Sequence, residues 1–227
     1  MVTLVPYAHL SLDGFDGGRR PLHRKNAGIA AFLLAVFQIA SGAPQALAAN
    51  VEAIGQVEIA PLFYQPFACV DHPEGQLSDL GDALGTDCFV MGGFGKPSGF
   101  MKLYRNDGIR NDDWYGWHAE IHAPFDGIVK DIRINPITNV PGTMGKPPAS
   151  YITFERGDGT IVVFAHVDDI RVKLGEHVVA GQVVALDGNN GTARGPHVHV
   201  GAYRGSIPLQ IRWDLRIEGQ IPSLRGK

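Results

Sequence analysis

The stretch SYITFERGDGTIVVFAHV, residues 150–167, leaves the surrounding chain little freedom. Apolar and polar residues alternate through YITFE, the turn RGDG follows, and TIVVFAHV resumes the extended run. An Asp-Gly pair supplies the positive φ that a tight hairpin turn needs, so the pattern predicts two antiparallel strands. The neighbouring segments repeat the rhythm. AEIHAPFDGIVKDIRIN (119–135) reads as strand, proline bend, Asp-Gly turn and strand. VKLGEHVVAGQVVALDGNNG (172–191) is punctuated by glycines at 175, 181 and 188, and NPITNVPGTMGKPPAS (135–150) is a Pro/Gly-rich loop. No long helical period appears after Phe89, and 29 glycines with 15 prolines supply the turns that short strands require. The expectation is an all-β domain over residues 86–215, an antiparallel β-sandwich or open barrel built of short strands and hairpins. Residues 49–85 read as an irregular lead-in and 216–227 as a C-terminal tail.

The N-terminal part has a different character. RRPLHRKN (19–26) is basic, AGIAAFLLAVFQIASGA (27–43) is apolar, and Ala46-Leu47-Ala48 fits the small-x-small rule of signal peptidase. Ala27–Ile39 is short for a membrane span, so residues 1–48 are expected to be an extension plus signal peptide, cleaved near Ala48. The mature chain would then be exported, periplasmic or secreted, with no stable span. Residues 1–18 have no evident role. Two cysteines, Cys69 and Cys88, fit a disulfide in an oxidising compartment, and two small buried thiols are the alternative. A formal net charge of −3, with lysines and arginines spread along the chain, argues against a nucleic-acid surface.

GPHVHVG (195–201) places two imidazoles two residues apart. Alternation along a strand sends His197 and His199 to one face and Val198 and Val200 to the other. Such a pair suits a metal, a proton relay or neither. His118, His122 and His166 share the domain, whereas His177 in GEHVV reads as a solvated turn residue. FAHV, VKLGEHVVAG, GNNG and GPHVHV together resemble the second half of the lysostaphin/LytM-type zinc endopeptidases of peptidoglycan, family M23, of the duplicated hybrid motif fold. IHAPFDGIV resembles a strand and turn of the first half. The resemblance spans residues 89–201.

That family holds zinc through a first His, an Asp and the last His of HxH. Counting back without gaps from Asp126-Gly127 puts the metal aspartate at Asp112 and makes His199 a ligand. His166 and His197 become the catalytic pair that orients and deprotonates water. Gly108 stands where the family's HxxxD pattern has its histidine, so the resemblance implies weakly held or absent Zn2+. Asp107, Asp113, His118 and His122 are possible substitutes. The implied activity is zinc-dependent cleavage of peptide cross-links in peptidoglycan. The alternative is a degenerate relative that binds cell wall or regulates another hydrolase. A biotinyl or lipoyl carrier shares the hairpin style but needs a lysine at the tip occupied here by GNNG.

Overall fold

The computed structural model describes residues 53–94 and 99–221. The chain divides into two units, Met1–Ala49 and Asn50–Lys227, and everything described belongs to the second. The expected signal peptide lies outside the described residues. Among those described, no helix is long and apolar enough to cross a membrane.

Among the described residues twelve strands follow in order: β1 (Gln56–Ile59), β2 (Phe67–Asp71), β3 (Thr86–Val90), β4 (Glu120–His122), β5 (Gly127–Arg133), β6 (Tyr151–Glu155), β7 (Thr160–Ala165), β8 (His177–Val178), β9 (Val183–Leu186), β10 (Val198–Arg204), β11 (Ile207–Pro208) and β12 (Gln210–Trp213). The main sheet runs β2-β3-β10-β7-β6-β5-β8, with β11 beside β10. Its neighbours are antiparallel, β4 pairs β9 in a separate antiparallel ribbon, and β1 pairs β12 in parallel. The only α-helix described is one turn, α1 (Leu215–Glu218), capped by the Asp214 side chain on Arg216 N and Ile217 N. The all-β expectation therefore holds. The RGDG hairpin forms as β6–β7, with Gly159 at φ +79°.

Residues 49–85 are not the irregular lead-in expected. They contribute β1 and β2, and β2 is the edge strand of the main sheet. Val129, Ile152, Phe154, Val162, Phe164, Val198 and Val200 point to one face of the sheet and are almost wholly buried. Ile121, Val184 and Ala185 of the β4–β9 ribbon join the same core. Burial of such side chains contributes about 1.5–3 kcal/mol each before entropy is counted. The opposite face of the sheet is left for a groove.

Candidate metal centre and groove

β10 is flanked by β3 on one side and β7 on the other, with His199 opposite Asp87 of β3 and Ala165 of β7. Directly opposed residues of antiparallel strands share a face, so Asp87 and His199 stand together. Asp87 Oδ1 lies 2.9 Å from His199 Nδ1 and 3.4 Å from His72 Nε2, just past the end of β2. His72, Asp87 and His199 each offer one donor atom, and the three lie within 4.8 Å of one another. This is the one such His/Cys/Asp/Glu group among the described residues. Both candidate donors that sequence spacing could not supply come from the β2–β3 hairpin, which Cys69 and Cys88 staple with a disulfide at directly opposed positions.

The outer nitrogens of both rings are occupied. His199 Nε2 is 3.0 Å from the Gly81 carbonyl and 3.3 Å from Asp82 Oδ1. A carbonyl can only accept, so Nε2 carries the proton. His72 Nδ1 is 3.3 Å from Gln76 Oε1. Outer-shell partners of this kind fix which nitrogen faces a metal and raise its basicity. Glycines let the chain close over the ring: a Cβ on Gly85 would sit 2.8 Å from His199 Cε1, and one on Gly201 would collide with the Gly81 backbone.

Burial alone would lower the pKa of His199. Hydrogen bonds to Asp82 and Asp87 outweigh it and raise the value to about 9. For Asp87 burial pushes upward, but the His199 hydrogen bond and the charges of His197 and His199 bring it down to about 2. The two thus form an imidazolium–carboxylate pair, and a metal ion binding there displaces the proton.

His166 and His197 sit beside this group, their ring centroids 4.7 Å apart. His166 Nδ1 donates to the Asn190 carbonyl at 2.9 Å, and His197 Nδ1 to the Gly195 carbonyl at 2.8 Å. Each ring therefore keeps Nε2 as its lone-pair nitrogen. Burial, then the neighbouring His197 charge, depresses His166 to about 3, and burial lowers His197 as well. Both are neutral at ordinary pH. His166 adopts φ +65°, a costly backbone for histidine. Asn190 holds it there, its side-chain amide donating to the His166 and Val167 carbonyls while its Oδ1 accepts from Ser150 N. A cavity of about 1170 Å³ opens over the group, with His72, Asp87, His166, His197 and His199 among its lining.

Asp112 does not join this centre. It lies on a single 3-10 turn, Asn111–Asp113, its side chain 71% exposed and 3.6 Å from Arg110 Nη2. The gap-free count from Asp126 placed the acidic ligand after β3, whereas the acidic residue beside His199 is Asp87, within β3. The proposed substitutes are committed elsewhere. Asp113 accepts from Asn106 Nδ2 and Arg110 N, and Asp107 from Ile109 N. His118 is half exposed on Asp168, 3.3 Å away. His122 is buried against the Leu62 carbonyl and stacked on Tyr64. His118 lies outside β4 at φ +59°, so the two do not share a strand face. Gly108 sits at φ +74°, and its carbonyl accepts from Trp114 Nε1. The loop is a packed wall of the groove, with Trp114 lying against Gly195.

Sequence reasoning missed His72, Asp87, Asp82 and Asn190. One signal was available for the first two. A disulfide between Cys69 and Cys88 brings together the residues three positions after one and one position before the other.

Residues 115–211 match the sequence profile of Peptidase family M23. His72 and Asp87 precede that segment. Over 98 residues the chain is 28% identical to the peptidoglycan DD-endopeptidase ShyA of Vibrio cholerae, matching 39% of this chain and 20% of that protein. The chain thus spans about a fifth of the length of this relative. Among solved structures it is similar to a zinc containing peptidase from Vibrio cholerae, at 28% identity and TM-score 0.33, covering 40% of this chain and 25% of that one. It is also similar to the catalytic domain, in a mutant form, of the prophage-encoded M23 protein EnpA from Enterococcus faecalis, at 22% identity and TM-score 0.41, covering 64% and 87%.

Proposed function

With residues 115–211 matching peptidase family M23, we propose that this protein is an exported zinc endopeptidase that hydrolyses peptide cross-links in peptidoglycan. The observation that carries the reading is the convergence of His72, Asp87 and His199 beside a second, neutral histidine pair. Two imidazoles and one carboxylate, with room for a fourth position, form a donor set suited to catalytic zinc. The satisfied outer nitrogens of His72 and His199 suit it too. With three donors available, the expectation of weak zinc gives way to ordinary binding. The similarity to a peptidoglycan endopeptidase supports the choice of substrate.

His72, Asp87 and His199 would hold the ion. Zinc in such a site supplies Lewis-acid polarisation and a water of pKa about 7. The protein's own part is positional and protonic. His166 and His197 present unprotonated Nε2 atoms. One accepts a proton from the attacking water as it adds to the peptide carbon, and the resulting imidazolium hydrogen-bonds the oxygen that gains charge. The proton then passes to the leaving amine as the C–N bond breaks, which restores the neutral ring. The depressed pKa values ensure that both rings start neutral.

Protein purified from the exported fraction tests this. It is assayed for bound metal and incubated with isolated peptidoglycan, and released fragments are read by mass spectrometry. Near-stoichiometric zinc and new amino and carboxyl termini within the peptide moiety are expected, both lost in His199→Ala and Asp87→Ala. Metal-free protein that binds peptidoglycan without cutting it would overturn the reading in favour of a non-catalytic relative.

A further inference from the structure

The groove continues away from the metal centre across the sheet, and strand register lays out its floor. His199 on β10 faces Ala165 on β7, which faces Tyr151 on β6. The next row is Gly201, Val163, Thr153 and Asp131, the last on β5. Ala165 and Gly201 keep the floor low between the centre and its far end. Asp131, Tyr151 and Thr153 line the same groove as His166 and His199.

Asp131 reaches that floor through an irregularity. Pairing of β5 with β6 shifts between Val129 and Asp131, so Val129 opposes Phe154 and Asp131 opposes Thr153, with Lys130 as the extra residue. In an unbroken register Lys130 would oppose Thr153. Bulges beside active sites commonly re-aim a side chain, and this one sets Asp131 rather than Lys130 opposite Thr153, while Lys130 also borders the groove. Lys130 turns to Glu155, 2.8 Å away. Asp131 Oδ2 accepts from the Tyr151 hydroxyl at 2.6 Å and Oδ1 from Ile132 N at 2.8 Å. Arg133 lies over the Tyr151 ring, 5.6 Å from its centroid. Among the described residues Asp131 has two neutral donors and forms no direct ion pair, so its carboxylate is oriented, with the nearest guanidinium, that of Arg133, held over the Tyr151 ring.

We propose that Asp131 is a specificity-determining residue that pairs with a primary ammonium group on the substrate peptide. The inference rests on reading the groove as a peptide site. β5 lies three strand spacings from β10, about 14 Å, and an extended peptide advances about 3.3 Å per residue. The ammonium is therefore carried about four residues from the bond cleaved.

The test measures binding by calorimetry on the full exported chain. The probes are two alanine/glycine octapeptides that differ only in a lysine or an Nζ-acetyl-lysine four residues from the central bond. Because Asp131 is exposed, the lysine peptide is expected to bind about three- to fivefold tighter at low salt. The preference shrinks as salt is added, since exposed charges are screened. Asp131→Asn, an isosteric change at an exposed site, removes the preference without weakening the acetylated peptide. Tyr151→Phe frees the carboxylate from its donor and reduces the preference in part. Equal affinities in the parent protein, an intact preference in Asp131→Asn, or binding of neither peptide overturns the proposal. Hydrolysis of the same peptides is followed separately. Cleavage without preference leaves the peptidase reading standing, and preference without cleavage leaves the ammonium subsite standing.

Discussion

Replacing both Cys69 and Cys88 with alanine tests how the hairpin sustains the candidate metal centre. The bridge joins residues 19 apart, a closed loop of about 20 residues, for which the chain-entropy account gives about 3 kcal/mol of stabilisation at 25 °C. For a domain of this size each kcal/mol moves the melting temperature by about 2–4 °C, so a fall of about 6–12 °C is expected. The local effect should exceed the global one. β2 is an edge strand held by β3 alone, and His72 lies just beyond its end, whereas β3 is also paired to β10. Loss of the bridge therefore loosens His72 while Asp87 keeps its place opposite His199. Thermal melts by circular dichroism on metal-free parent and variant give the first number. Competition with a chromophoric chelator gives the second, and zinc affinity is expected to fall more than tenfold. An unchanged melting temperature would refute the loop argument. A lower melting temperature with unchanged zinc affinity would refute the idea that the staple positions His72.

Three further outcomes follow from described contacts. His72→Ala should abolish tight zinc binding whereas Asp112→Ala, removing an exposed group, should leave it intact; metal analysis after dialysis separates the two. Gly108→His should not improve zinc binding and should destabilise the fold by about 1–3 kcal/mol, because φ is +74° there and a Cβ would press on the Tyr104 ring; denaturant titration checks it. Asp187 is fully buried, neither oxygen has a well-formed partner, and burial raises its pKa well above the ordinary value, the Gly188 amide offsetting only part. A raised folded-state pKa gives stability that is complete below about pH 4 and is lost as pH climbs toward the folded value, by at most about 1.4 kcal/mol per pH unit. Asp187→Asn should flatten that slope above about pH 4, and an unchanged slope in urea midpoints would contradict it.

The hairpins were legible because alternation and Asp-Gly or Gly-x-x-Val punctuation are local signals. Val198 and Val200 against His197 and His199 is the plainest case, since period 2 alone assigns the faces. The HxH stretch and His166 were legible through local motifs too. His72 and Asp87 were not, because their nearness depends on an edge hairpin with a long excursion between Asp71 and Thr86, and Asp87 lies far beyond the short fixed step counted back from Asp126. Asp112 looked suitable from spacing, but a one-turn 3-10 segment capped on itself keeps it at the surface. The bulge at Lys130 was likewise beyond reach, for one extra residue in a strand leaves no mark on composition and only inverts which neighbour faces inward.

The order of the site residues along the chain has a practical side. The stretch that matches the M23 profile begins at residue 115 and contains His166, His197 and His199 but neither His72 nor Asp87. A fragment trimmed to the matched boundaries would keep His166 and His197 and lose two of the three proposed metal donors, together with the β3 strand that borders His199. Its inactivity would then say nothing about the intact protein. Natural variants at positions 69–88 call for the same caution. They fall before the segment that matches the M23 profile, and there a single changed side chain would remove a proposed metal donor while the matched segment remained identical.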